Sequence, residues 1–168
     1  ATGNTCEDCR QTGLDISDPG TEVAARNNTC LRNGVRGIEA RGGARVLIEA
    51  NTCRANKQHG IILAGAATGT AQRNVSEQNE WCGIGVYDKG TAVVLRLNQC
   101  NENEIDGLFF SDQVTAQAEG NTCRKNKRHG ICFEKASAGS ALRNHCEGNG
   151  DCGICAIEKD TAPAFKEN

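Results

Sequence analysis

The sequence predicts an all-β parallel β-helix solenoid of about seven coils, with 23 or 24 residues and three short strands in each coil. Two observations predict this fold. Asn, Cys and Gly recur in fixed register along the whole chain, and the short apolar segments between them alternate with period two. Side chains one repeat apart should therefore lie directly above one another.

A column of Asn residues defines the repeat most clearly. Its members stand 23 or 24 residues apart at Asn4, Asn28, Asn51, Asn74, Asn98, Asn121, Asn144 and Asn168. A sharp turn between strands needs a residue that tolerates left-handed dihedrals, and we expect Asn to occupy that position. Stacked Asn side chains can also form an amide ladder between coils. Five residues later a second column reads Cys9, Asn33, Asn56, Asn79, Asn103, Asn126 and Asn149.

Cysteine forms a column two residues after each Asn of the first column. It reads Cys6, Cys30, Cys53, Ser76, Cys100, Cys123 and Cys146. Neighbouring Cys side chains in such a column point the same way, which disfavours disulfides between them. We predict an inward-facing stack of reduced, packed thiols.

The three strands of each coil follow from Gly and the apolar pattern. One strand should start at the Gly-aliphatic step seven residues after the Cys, one should precede the Asn, and one should pass through the Cys. Val46-x-Ile48 and Val93-x-Leu95 show the period-two alternation. Leucine-rich and helical repeats are excluded because their characteristic spacings are absent.

Composition excludes two classes of partner. The net charge is -2 and no basic stripe is present, so we expect no nucleic-acid binding. No apolar stretch approaches about 18 residues, so we expect no membrane span. The compartment is not determined, although many unpaired cysteines favour the reducing cytoplasm.

The pattern Asn-Thr-Cys-Arg-x-Asn-x-x-x-Gly-Ile, at 51–61 and 121–131, resembles right-handed parallel β-helix repeats of the pectate-lyase-like class. That class includes the carbohydrate-binding and sugar-hydrolysis type of repeat, and the resemblance covers essentially the whole chain. It implies a right-handed solenoid, and it does not specify an activity, because this repeat occurs in proteins of unrelated role. Lyases of this fold use clustered acids with Ca²⁺ and a basic residue. The Asp-Pro-His-Asp motif of epimerases is absent.

Asp88 and Asp112 are the candidate catalytic residues under a lyase or hydrolase hypothesis. They hold the same position in adjacent coils, so they should lie about 4.8 Å apart. Such a pair suits Ca²⁺ binding or acid–base catalysis. The alternative is solvated surface charge beside a turn, which we favour.

The column before each Gly contains metal-ligand residue types. It reads Thr12, Arg36, His59, Cys82, Asp106, His129 and Cys152. His59 with Cys82, and Asp106 with His129 and Cys152, are the candidate metal ligands. A parallel column does not converge easily on an ion, so a polar turn edge is the favoured interpretation. The Cys-x-x-Cys pairs Cys6/Cys9 and Cys152/Cys155 lie at opposite ends of the rod, and a strand should place the two sulfurs of each pair on opposite faces, so we expect no zinc ribbon.

Trp81 and Tyr87 share one coil and are the candidate ligand-binding residues. Aromatic rings pack against the apolar faces of sugars. Only one coil carries such a pair, so an isolated exposed aromatic is the competing interpretation.

We expect residues 1–168 to be one β-helix domain, taken from a longer solenoid or stacked end to end with other copies, because no cap is evident. Uniform coils leave little wall to form a catalytic pocket. The sequence therefore favours a non-catalytic scaffold that binds a polysaccharide or a protein, with a polysaccharide lyase or hydrolase as the alternative.

Overall fold

The computed structural model describes residues 1–168 and contains 21 strands, β1 to β21 in chain order, and no helix. The strands form three seven-stranded sheets, and every pairing between named strands is parallel. The chain visits the three sheets in turn, so three strands make one coil and seven coils make the rod. The predicted solenoid is confirmed.

The strands of one sheet have the same position in successive coils. Sheet 1 contains β1 Thr5–Glu7, β4 Thr29–Leu31, β7 Thr52–Arg54, β10 Val75–Glu77, β13 Gln99–Asn101, β16 Thr122–Arg124 and β19 His145–Glu147. Sheet 2 contains β2 Leu14–Ile16, β5 Ile38–Ala40, β8 Ile61–Leu63, β11 Ile84–Val86, β14 Leu108–Phe110, β17 Ile131–Phe133 and β20 Ile154–Ala156. Sheet 3 contains β3 Glu22–Arg26, β6 Arg45–Glu49, β9 Thr68–Gln72, β12 Ala92–Arg96, β15 Thr115–Glu119, β18 Ala138–Leu142 and β21 Ala162–Lys166.

The cysteine column faces the interior, as predicted. In sheet 1, Ser76 pairs in register with Cys53 on one side and Cys100 on the other. All three side chains are fully buried. Aliphatic residues of sheets 2 and 3 complete the core, which Phe110 and Phe133 fill in the fifth and sixth coils with ring centroids 4.4 Å apart.

Both Asn columns form amide ladders, and Asn98 shows the pattern. Its backbone N–H and its side-chain Nδ2 donate to Oδ1 of Asn121 at 2.9 and 3.0 Å. Nδ2 also donates to the carbonyl of Ala71 at 2.9 Å. In turn its Oδ1 accepts from the N–H and Nδ2 of Asn74. Each buried amide is thereby satisfied, as a buried polar group must be.

The left-handed turn position is not the Asn itself, so that prediction was wrong. Positive φ falls on the preceding residue, for example 54° at Ala50 before Asn51 and 54° at Leu97 before Asn98. The physical reason is that the Asn backbone N–H and side chain both bond the next coil. The chain reverses one residue earlier, where an exposed side chain such as that of Leu97 extends into solvent.

The outer surface of sheet 2, which we call the sheet-2 face, is built from three columns. They are the residue before each Gly, the central residue of each strand, and the residue that follows the strand. Ile84 and Val86 point inward and are fully buried, so the central Gly85 lies on the outer side. No helix in the structure is long and apolar enough to cross a membrane.

Candidate functional site

The second, third and fourth coils form an open depression of about 560 Å³ on the sheet-2 face. We call it the aromatic depression. Residues that carry its chemistry are Arg36, Glu39, Arg41, His59, Trp81 and Tyr87. They come from different positions in three coils, and only the stacking of the coils brings them together.

His59 is the centre of the aromatic cluster. Its ring lies 5.2 Å from that of Trp81, edge to face at 87°, and 5.4 Å from that of Tyr87. The hydroxyl of Tyr87 is 3.2 Å from Nε2 of His59. His59 is 1% exposed whereas Trp81 is 44% exposed, so His59 supports the indole from behind. The structure thus brings the two candidate ligand-binding residues, Trp81 and Tyr87, to one site.

Gly85 makes room for these rings. A Cβ atom at this position would lie 2.6 Å from Cε2 of Tyr87 and 3.1 Å from Cε1 of His59. Every other central residue of sheet 2 carries a side chain on this face. The absence of one at Gly85 allows Tyr87 to fold across the strand towards His59.

Two guanidinium groups flank one carboxylate at the edge of the depression. Arg36 Nη1 lies 2.7 Å from Glu39 Oε2, and Arg41 Nε lies 3.4 Å from Glu39 Oε1. Arg41 also contacts the exposed Asp15 at 3.1 Å. Glu39 is buried, whereas the side chain of Arg41 is half exposed. Arg41 is therefore the cation that a ligand can reach.

The environment keeps both His59 and Tyr87 uncharged at neutral pH. Burial, together with the positive charge of Arg36, lowers the pKa of His59 to about 4. Burial also raises the pKa of Tyr87 well above its ordinary value. Nδ1 of His59 is buried without a hydrogen-bond partner.

Asp88 and Asp112 are each engaged by a different neighbour. Oδ2 of Asp88 accepts the N–H of Gly65 at 3.0 Å. Oδ1 of Asp112 lies 3.4 Å from Nζ of Lys135. Both residues have positive φ, at 72° and 65°, so they occupy turn positions. The structure does not join them in a shared hydrogen bond.

The column before each Gly is stacked as predicted, because Gly83 N–H donates to the carbonyl of Asp106 and Gly107 N–H to that of His129. A polar turn edge would be exposed to solvent, whereas His59, Cys82 and Asp106 are buried. Burial raises the pKa of Cys82 to about 12, so it stays a thiol. Oδ1 of Asp106 accepts the N–H of His129 at 2.8 Å, while Oδ2 is buried without a partner.

Burial also acts on Asp106, whose pKa is raised mainly by the loss of solvent around the carboxylate. Of the candidate metal ligands, the structure brings the side chains of His129 and Cys152 together. His59 belongs to the aromatic depression, and Cys82 and Asp106 lie buried between the two ends of the face.

Cys152 and Cys155 do not point to opposite sides, so that expectation was wrong. Their sulfurs and a ring nitrogen of His129 all lie within 4.8 Å of one another. Cys152 precedes Gly153 and lies outside β20, so strand alternation starts only at Ile154. The expected strand alternation had therefore excluded Cys155 from the candidate metal ligands. Its place one coil after Cys132 in the outward column was the available signal.

Comparison with known proteins agrees with this architecture. The chain belongs to the family described as a right-handed β-helix region, whose profile matches residues 1–103 and 89–168. No curated protein matches the chain. The crystal structure of a double mutant of the periplasmic alginate epimerase AlgG superposes with a TM-score of 0.70 at 25% identity. The match covers 95% of this chain and 36% of that chain, so this chain spans about a third of the epimerase.

Proposed function

We propose that this protein is a non-catalytic module that binds an acidic polysaccharide at the aromatic depression. The observation that carries the proposal is the exposed indole of Trp81, held edge-on by the buried His59, within one depression that also contains Arg41. The structural similarity to an alginate epimerase supports a polysaccharide as the ligand class.

The indole supplies the apolar part of the recognition. An aromatic face packs against the C–H face of a pyranose, and a ring that is already fixed loses little conformational entropy on binding. Contact with His59 restricts Trp81, and the Tyr87–His59 contact restricts His59. The site is therefore organised before a ligand arrives.

Arg41 supplies the preference for an acidic sugar. Guanidinium groups bind carboxylates through paired hydrogen bonds. The present contact of Arg41 with Asp15 joins two half-exposed side chains, and such a solvent-screened surface pair contributes little to stability. A sugar carboxylate can therefore replace Asp15 at little cost, while Glu39 continues to hold Arg36.

Three features favour binding over catalysis. His59 is almost fully buried, so its ring cannot contact the reacting atoms of a substrate. Asp88 and Asp112 are held by Gly65 and Lys135. The coils are uniform in length, so no loop wall surrounds the depression to exclude water.

Binding is tested by titrating polyuronate oligosaccharides and following the fluorescence of Trp81, the sole tryptophan. Saturable quenching is expected, with none from a neutral glucan of equal length. Calorimetry should show about tenfold weaker binding for Trp81→Ala and for Arg41→Ala, which corresponds to about 1.4 kcal/mol. Leu97→Ala and Arg143→Ala, on another exposed surface, are the matched controls. Equal affinity for the glucan, or unchanged affinity in both depression variants, would contradict the proposal.

A polysaccharide lyase or hydrolase is the second candidate, because the Tyr87 hydroxyl lies within hydrogen-bond distance of His59. Such a pair could relay a proton from a sugar. An activity screen on polyuronates with and without Ca²⁺ distinguishes the two functions. Turnover that Tyr87→Phe abolishes would replace the binding proposal by this one.

A further inference from the structure

We propose that His129, Cys152 and Cys155 form a binding site for a divalent metal ion of the zinc type at the far end of the sheet-2 face. One ligand atom from each residue lies within 4.8 Å of the other two. The site is separate from the aromatic depression, and neither proposal depends on the other.

Convergence arises because the ligands come from two columns and two coils. His129 and Cys152 are successive members of the column before each Gly, and Cys155 is the central residue of β20 in the same coil as Cys152. A single column places its side chains in parallel. The central column adds a ligand from the side, so three groups face one point.

The spacing suits a tetrahedral ion. Zinc–sulfur bonds are about 2.3 Å and zinc–nitrogen bonds about 2.0–2.1 Å, so ligand atoms in such a site lie about 3.5–3.8 Å apart. The present atoms are within 4.8 Å and need to move about 1 Å or less each. Cys152 is exposed and Cys155 half-buried, so their side chains have room for that movement.

The donor set selects the kind of ion. Two thiolates and an imidazole favour zinc and similar soft metals over Ca²⁺ or Mg²⁺, which prefer oxygen ligands. Three protein ligands leave a fourth position open, as in catalytic zinc sites. Cys132 pairs in register with Cys155 in the preceding coil, and its sulfur lies 3.7 Å from Oε1 of Glu134.

Neither ring nitrogen of His129 faces a hydrogen-bond acceptor. Nδ1 faces the N–H of Cys152 at 3.3 Å, and Nε2 faces the guanidinium of Arg128 at 3.3 Å. A metal ion can replace either of these long contacts, because it accepts an electron pair. The side chain of Arg128 is half exposed and lies 3.9 Å from Asp151, towards which it can turn.

Cobalt(II) is the probe, because tetrahedral thiolate coordination gives it visible and charge-transfer absorption. The full chain, reduced and stripped with a chelator, is titrated with Co²⁺ and then with Zn²⁺. We expect one Co²⁺ per chain with thiolate charge-transfer bands, and displacement by one Zn²⁺. Cys152→Ser, Cys155→Ser and His129→Gln should each weaken binding by about 100-fold or more, since loss of even an outer partner costs about 10–100-fold.

Cys9→Ser is the matched control, because Cys9 belongs to a Cys-x-x-Cys pair at the other end of the rod and should leave the titration unchanged. Circular dichroism checks that each variant is folded, and Cys152→Ser removes an exposed side chain that contributes nothing to the core. Absence of charge-transfer bands in the wild type, or a Co²⁺ affinity that Cys155→Ser leaves unchanged, would overturn the proposal.

Discussion

The interior Asn and Cys columns and the sheet-2 face are built on the same seven coils but differ in how much they vary. Inside, Asn follows Asn and Cys follows Cys, with Ser76 as the one exception in the Cys column. On the sheet-2 face, the central residue changes from Glu39 to Gly85 to Cys132 along the rod. Uniform columns stabilise the solenoid, and variable columns create local sites.

The difference has a physical cause. An interior side chain contacts its equivalents in the coils above and below, so the size and hydrogen-bonding groups of each member must suit the next. An outward side chain has solvent on one side and meets no such requirement. Chemically distinct groups can therefore occupy neighbouring coils, which is how an aromatic site and a thiol–imidazole cluster share one face.

The largest expected effect separates two adjacent phenylalanines. Phe110 is fully buried and stacks on Phe133, whereas Phe109 is half-buried on the sheet-2 face. Phe110→Ala should lower the free energy of unfolding by about 3–5 kcal/mol, because it leaves a cavity in the core. Phe109→Ala is the control and should cost about 1 kcal/mol. Urea denaturation measures the free energy of unfolding of both variants. Equal losses would show that the interior position and the sheet-2 face position contribute equally to stability.

The next effect tests the amide ladder. Asn98→Ala removes the partner of the Asn74 side chain and leaves the carbonyl of Ala71 one donor short. We expect a loss of about 2–3 kcal/mol, since each unsatisfied buried group costs about 1–3 kcal/mol. Asn101→Ala, at a half-buried position on the outside of sheet 1, should cost less than about 1 kcal/mol. A ladder variant as stable as the control would mean that the amide stack contributes little.

The third effect is the pH dependence from His59. Its folded-state pKa of about 4 lies below the unfolded value near 6.5. Well above pH about 6.5 the imidazole of His59 is uncharged in the folded and in the unfolded state, so its full contribution to stability is present there. On acidification the imidazole protonates first in the unfolded state, so the free energy of unfolding falls as the pH approaches about 4. Between pH about 7.5 and 5, wild type should lose about 2 kcal/mol more than His59→Gln.

The control for this pH experiment is His145→Gln, which changes an exposed histidine in sheet 1. It should show the same pH dependence as wild type. Asp106 is present in wild type and in both variants, so its contribution to the pH dependence cancels in the comparison. If His59→Gln and wild type lose stability in parallel on acidification, the buried imidazole is not the group that responds.

The smallest effect concerns the thiol column. Ser76 donates from Oγ to the carbonyl of Gly83 at 2.7 Å and shows how a hydroxyl is accommodated there. Cys100→Ser should therefore cost no more than about 1 kcal/mol, because the new hydroxyl can reach the equivalent carbonyl of Gly107. Thermal unfolding alongside Ser76→Ala measures it. A loss above about 3 kcal/mol would show that the column requires sulfur.

Much of the fold could be predicted from the sequence because interior contacts join equivalent residues. The offset between Asn28 and Cys30 is kept in other coils, so one coil predicts its neighbours. The residue with the left-handed backbone was misassigned because the turn depends on the hydrogen bonds of the Asn amide. The bonds from the backbone N–H and Nδ2 of Asn51 to Asn74 join two coils, and the sequence does not show them.

The candidate sites were only partly predictable, because each joins residues from several columns. Trp81 and Tyr87 were singled out by residue type, yet nothing in their spacing indicates that His59 lies between them. Cys155 was set aside because strand alternation was expected, whereas its relation to His129 depends on the chain path around Gly153.

By itself the sequence determined the solenoid, its coil length, and the inward direction of the Asn and Cys columns. The repeating period fixes these features, because every coil must pair with the next through the same backbone hydrogen bonds. Only the tertiary structure decided which outward residues meet across different columns. It also determined that His59 is buried and that Cys152 and Cys155 lie on the same side. Those relations depend on turn geometry and side-chain direction, which a period does not contain.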